Sequence, residues 1–262
     1  MTETVPITTI ALPKIRKIDA DHPWQWLSAG WADMRRVPSV SLIYGLVFAI
    51  AGYAVTATIW VFGQFYLVLP LVAGFMLLGP ILGVGLYDTS RRLGAGEPTG
   101  LGRALTAWRR NGAQIALMAL VLMLFSLAWI RFATILFALF FSENPPRPEP
   151  MFLLDVFVSA ESIPFLVVGT VIGGVLAAAV FAISAISVPL LVDREVNVFT
   201  AIVASVEAVR QNFWAMALWA WLIALFVAAG LITGYLGLIV TLPLVGHASW
   251  YAYKSLVVWD ED

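Results

Sequence analysis

The 262-residue chain has no cysteine, two histidines and 12% charged residues. Without cysteine there is no disulfide, thiolate nucleophile, iron–sulfur cluster or CxxC site. Two histidines are too few for multi-haem chemistry. Soluble domains carry about 25% charge and roughly 45–50% apolar residues. Here 61% of residues are hydrophobic, which excludes a soluble protein with a large core. The formal net charge of -1 gives no reason to expect nucleic acid or an acidic ligand. No GxSxG, HExxH, phosphate-loop or GxGxxG context appears; Gly83-Val84-Gly85 lies within an apolar run. No catalytic residue, metal ligand or cofactor-binding residue is assigned, no cofactor is expected, and an enzyme ranks behind noncatalytic readings.

What the chain has in abundance is uncharged apolar sequence. Six runs are long enough to cross a bilayer, over about 39–62, 65–87, 113–131, 163–189, 213–229 and 234–253. They are continuous rather than alternating, which argues for helices and against a membrane β-barrel. The expected fold is an all-α integral membrane protein with six transmembrane helices arranged as three hairpins. Residues 1–22 read as an N-terminal arm without a signal-peptide pattern, 23–256 as the membrane domain and 257–262 as an acidic tail.

The charges that exist are unevenly placed. Of 15 lysines and arginines, all but Arg131 and Arg147 fall in the arm, in the segments 88–112 and 193–212, before the first run or at Lys254. The positive-inside rule therefore places both termini and both charged linkers in the cytoplasm, in a bacterial inner membrane. The segment 132–162 faces the other side. Its Asn144–Pro150 stretch reads as extended and Phe152–Glu161 as a short interfacial helix.

Three segments before the odd-numbered spans look alike. Aligned on Arg35, Arg109 and Arg210, they place apolar residues eight, four and one positions upstream. These are Leu27, Trp31 and Met34; Leu101, Leu105 and Trp108; Ile202, Val206 and Val209. Spacings of four and three form one helical stripe. With Arg35, Arg36, Arg109, Arg110 and Arg210 at their ends, they read as amphipathic helices in the cytoplasmic interface, facing anionic lipid headgroups. The closing spans share a late proline, at Pro80, Pro189 and Pro243. Three copies of interfacial helix plus hairpin result. The rival reading is that any cytoplasmic linker gathers arginine beside apolar residues.

A few residues could carry more than packing. His247 lies inside the last span and could bind a group, relay a proton or bond a neighbouring helix. Haem or metal ligation lacks partners, because His22 is in the arm, so the packed reading is favoured. Arg131 interrupts apolar sequence late in its span, where it can snorkel or pair with Asp155 or Glu161. Asp88 and Asp193 end spans beside Arg91, Arg92 and Arg194; they form a rim site or simple helix-end pairs. Gly79 and Gly83, Gly169 and Gly173, and Gly230 and Gly234 are spaced for close helix approach, within the bundle or between copies. Tryptophans 24, 26, 31, 108, 250 and 259 read as an interfacial belt.

The stretches IRKIDADHPWQWLSAGWADMRRVPSVSLIYG at Ile15–Gly45 and AGFMLLGPILGVGLYDTSRRLGAGE at Ala73–Glu97 resemble a bacterial family of uncharacterised multi-pass membrane proteins. The elements are Gly30, Trp31 and Asp33; Gly79 and Pro80; and Gly85, Leu86, Tyr87, Ser90, Arg91 and Arg92. The likeness runs from about Ile15 to Lys254. The family carries a domain of unknown function, and some members bear the label of a cytochrome c oxidase subunit. That label cannot mean the haem–copper catalytic subunit, whose ligands two histidines cannot supply. The resemblance implies a noncatalytic accessory or assembly subunit of an inner-membrane complex, with other membrane proteins as partners. A small-solute or lipid transporter on a pseudo-threefold bundle is the alternative, and it predicts a polar central cavity near His247, Asp88 and Asp193.

Overall fold

The computed structural model describes residues 13–64, 67–142 and 156–259. The expected extended segment 144–150, Asp155 and the last three residues lie outside them. Helix α1 (His22–Arg36) has proline in its first turn, where a missing N–H removes no helical bond. It gives way to α2 (Pro38–Val61), α3 (Val68–Leu82) and α4 (Val84–Gly94). Helix α5 (Leu101–Thr106) passes through a 3-10 turn, Ala107–Asn111, into α6 (Gly112–Phe141). A second 3-10 turn, Ala160–Ser162, leads to α7 (Ile163–Ser184), α8 (Ser187–Asp193) and α9 (Val198–Gln211). Helices α10 (Phe213–Ile232) and α11 (Leu238–Leu256) complete the bundle. Two-residue strands β1 (Lys14–Ile15) and β2 (Val257–Val258) pair antiparallel, tying the start of the chain to its end.

Five helical stretches are long and apolar enough to cross a membrane: Pro38–Val61, Val68–Gly94, Leu101–Phe141, Ala160–Asp193 and Phe213–Ile232. The chain is an all-α integral membrane protein. Arg131 does not end its helix, because apolar positions continue after it. At 30 residues, α6 is about 45 Å long, more than the roughly 30 Å hydrocarbon core. The last expected run corresponds to α11, which is not among the five. Eleven of its 19 residues are buried, against two of the 22 in α7. Protein, not lipid, covers most of α11, and an enclosed helix can carry Pro243, His247 and Ser249.

Helix α11 is the hub, packed against α1, α2, α4 and α10, while α3, α6 and α7 stack beside it. The closest approaches use glycine. A Cβ on Gly30 would stand 2.6 Å from the Ala248 backbone nitrogen, and one on Gly45 would collide with the Ile239 carbonyl oxygen. Pro243 has no N–H to give that carbonyl, so the Gly45 face of α2 packs where α11 lacks its usual bond. The other breaks are sealed by side chains. The Tyr44 hydroxyl donates to the Leu82 carbonyl at 2.5 Å, beside the α3–α4 break. Ser205 donates to the Ala182 carbonyl at 2.7 Å and accepts from the Ile186 N–H at 3.2 Å, closing the α7–α8 break.

The three junctions from short helix to long helix share one backbone conformation. Val37 has φ -130° and ψ 58°, Asn111 has φ -141° and ψ 55°, and Asn212 has φ -122° and ψ 41°. All three stand two positions after the aligned arginines. Their surroundings also match in part. Asn111 Nδ2 donates to the Val196 carbonyl at 2.9 Å, and Gln114 accepts the Val198 N–H at 2.9 Å, pinning the linker into α9. Asn212 accepts the Ile18 N–H at 2.9 Å and donates to the Arg16 carbonyl at 3.0 Å, pinning the linker into α1. Val37 has no amide for a third copy of this contact.

Candidate functional site

Most of the buried polar residues gather at the end of the bundle where the linkers, β1 and β2 meet. His247 is fully buried on α11. Its Nε2 lies 2.9 Å from Ser41 Oγ on α2, and its Nδ1 lies 2.8 Å from Ser90 Oγ on α4. Ser41 also sits 3.1 Å from the Val37 carbonyl, the acceptor for its single proton. Ser41 then accepts from Nε2–H, and Ser90 donates to Nδ1. This satisfies a neutral imidazole, which has one donor and one acceptor. The serines were not among the residues singled out as polar candidates; the signal was their place near the ends of apolar runs, one turn from Val37 and Leu86.

Asp88, fully buried, accepts from Arg91 Nε at 2.9 Å and from Arg92 Nε at 2.7 Å. Arg91 then grips Glu97 with two parallel bonds of 3.0 and 2.9 Å, and Arg92 adds a third at 3.1 Å. Both arginines face the two carboxylates, so the network folds the α4–α5 linker back on α4. The Arg91 hydrogen bond holds the Glu97 carboxyl below its ordinary range. Asp193 accepts from the Tyr253 hydroxyl at 2.7 Å, with Lys254 Nζ at 3.6 Å. Asp33, buried on α1, accepts from the Tyr251 hydroxyl at 2.8 Å. Asp33, one of the resemblance residues, and Asp193 are both taken up by tyrosines on α11.

The remaining candidates lie apart. Arg131 is exposed on α6 and makes no ion pair with Glu161. Arg35, Arg36, Arg109, Arg110 and Arg210 are exposed. Arg210 pairs with Glu207 at 2.8 Å, which pulls that carboxyl down to about 2. Arg110 Nε donates to the Val192 carbonyl at 2.9 Å. The middle stripe residues Trp31, Leu105 and Val206 are all exposed, whereas Leu27 and Met34 are buried. A Cβ on Gly173 would meet Trp129 of α6 at 3.0 Å, and one on Gly230 would meet Leu238 at 2.5 Å. Gly83 faces the Tyr87 side chain of the next turn, Gly79 and Gly169 face open space, and Gly234 (φ +63°) is a turn residue. Asp19, Asp21 and His22 bring ligand atoms within 4.8 Å of one another at the exposed entry to α1.

This arrangement joins helices. Each of the buried groups His247, Asp33 and Asp88 is hydrogen-bonded to a side chain of this chain.

Residues 68–193, from α3 to α8, match the family model described as a predicted integral membrane protein, DUF2189, a domain of unknown function. The resemblance drawn from Ala73–Glu97 falls inside this match, and that drawn from Ile15–Gly45 lies before it. No curated protein and no solved structure matches the chain.

Proposed function

We propose that this integral membrane protein is a noncatalytic accessory or assembly subunit of a bacterial inner-membrane complex, a respiratory oxidase being the one to which the resemblance points. One observation carries this reading. Around His247, where a transporter needs a polar cavity, Ser41 and Ser90 take both ring nitrogens. The adjoining Gly246 packs so closely on Leu86 that a Cβ would stand 2.5 Å from it. The small-solute transporter reading loses its site there. The broad exposed surface of α2, α6, α7 and α10 is free to meet lipid or neighbouring membrane proteins.

In this reading α11 is a sixth, protein-covered span, and the bundle is three repeats of interfacial helix plus hairpin. The shared conformation at Val37, Asn111 and Asn212 supports the repeat. The collar of 13 basic residues lies on the cytoplasmic side against anionic headgroups. Native purification from membranes, read by mass spectrometry, is expected to recover a stoichiometric membrane partner. A homogeneous lone protein would sink the proposal. The absence of cysteine makes orientation easy to test: a single cysteine at Glu207 should be shielded from an impermeant thiol reagent in whole cells, and one at Gly63 should react.

A further inference from the structure

A cavity lies away from the polar cluster, at hydrocarbon depth. Helices α2 and α3 form one hairpin, yet they splay: α2 packs on α11, and α3 packs on α6. Between them is a slot of about 250 Å³ whose walls include Phe48, Val55 and Ile59 on one side and Val72 and Phe75 on the other. Its few polar groups serve one another. Thr56 Oγ1 and the Tyr235 hydroxyl are 2.7 Å apart, and Ser126 donates to the Gly74 carbonyl at 2.9 Å. Tyr235 reaches the slot from a left-handed backbone, φ 68°, a conformation a tyrosine seldom adopts. Gly52 makes room for its ring, which a Cβ would approach to 2.8 Å.

We infer that this slot binds one acyl chain of a bilayer lipid, from the leaflet away from the basic collar. Depth gives the leaflet. Phe48 is ten residues into α2, about 15 Å from its collar end, which is half the roughly 30 Å hydrocarbon core. Shape gives the occupant. The Phe48 and Phe75 rings meet at 6.0 Å and narrow the inner end, while Ile59 and Val68 line the outer end. A partner helix, about 10–12 Å wide, cannot fit into a slot of about 250 Å³. A single flexible hydrocarbon chain can. Apart from the Thr56–Tyr235 hydroxyl pair and Ser126, the walls are hydrocarbon.

The test uses the full chain in phosphatidylcholine–phosphatidylglycerol vesicles containing a phospholipid with a photoactivatable diazirine near its acyl terminus. Adducts are expected to concentrate on Phe48–Ile59 and Val68–Leu78. Val55→Trp and Val72→Trp fill the slot from opposite walls, so one variant serves if the other fails to fold. Each should reduce slot adducts at least tenfold and leave labelling at the exposed Leu124 and Val171 unchanged. Labelling spread evenly around the bundle and insensitive to both tryptophans would overturn the inference. Crosslinks from slot residues to another protein in native membranes would overturn it too.

Discussion

Ser90 and His247 are 157 residues apart in sequence, and their side chains meet at 2.8 Å. That bond joins the end of the second membrane helix to the last helix. With Ser41 it makes one imidazole the common partner of α2, α4 and α11. The neighbouring resemblance residues serve the same junction. Gly85 lets the Ala104 carbonyl approach, such that a Cβ would stand 2.6 Å from it, and Tyr87 is buried against the core. Asp88 turns outward to Arg91 and Arg92.

If His247 is the common partner, its loss should exceed the loss of either serine. His247→Ala leaves a cavity and takes the partner from the buried Ser90 hydroxyl, while Ser41 keeps the Val37 carbonyl; it is expected to destabilise by about 2–4 kcal/mol. Ser90→Ala removes one bond and should cost about 0.5–1.5 kcal/mol. Unfolding midpoints in mixed detergent–denaturant titrations measure both. Equal effects, or a neutral His247→Ala, would contradict the junction role.

The paired asparagines predict local rather than global effects. Asn212→Ala frees the Ile18 N–H and the Arg16 carbonyl, so hydrogen exchange should rise over Arg16–Ile18. Asn111→Ala should raise it around Val196 instead. Each change should cost about 1 kcal/mol. Faster exchange across both segments in both variants would mean that the pins are not independent.

Much of this architecture was legible in the chain, and the limits have physical causes. Apolar runs report the lipid-facing surface, so α2, α6, α7 and α10 were plain. They report less about α11, whose surroundings are protein and whose hydropathy falls short. The aligned arginines stand two positions before the shared helix breaks at Val37, Asn111 and Asn212. Glycine spacing misled in detail. Four-residue spacing marks a helical face but not what that face meets: Gly79 and Gly169 face open space, while the unpaired Gly30 and Gly45 touch backbone. Ser90 stands out in the sequence only as a resemblance residue and Ser41 not at all, because a serine near a helix end has many ordinary explanations. Only the fold brings His247 between them.

Glu97 gives a pH dependence with a definite sign. The Arg91 bonds lower its folded-state pKa below the ordinary carboxylate value of about 4.3. A group lowered on folding adds stability above its unfolded pKa and loses it as pH falls through the folded value. Wild type should therefore exceed Glu97→Gln in stability by a constant amount between pH 6 and 8, and the gap should shrink in acid. Unfolding midpoints from pH 8 down through about pH 4 check this. A gap that widened on acidification would reverse the sign and exclude the pairing as its source.

The glycine contacts offer the sharpest contrast between spacing and geometry. A Cβ on Gly45 collides with the Ile239 carbonyl oxygen, and one on Gly30 stands 2.6 Å from a backbone nitrogen. Backbone cannot rotate aside as a side chain can, so α11 must move away from α1 or α2. Gly30→Ala and Gly45→Ala should each destabilise by about 1–3 kcal/mol, the usual range for overpacking. Gly79→Ala and Gly169→Ala meet nothing within 4 Å. They should be neutral or slightly stabilising, because alanine is the better helix former by roughly 1 kcal/mol. Four variants in one detergent unfolding series separate the cases. If Gly79→Ala or Gly169→Ala destabilised the monomer as strongly as Gly45→Ala, α11 would not be the hub of the bundle. If they left monomer stability unchanged but abolished a dimer, those exposed glycines would instead mark a contact between copies.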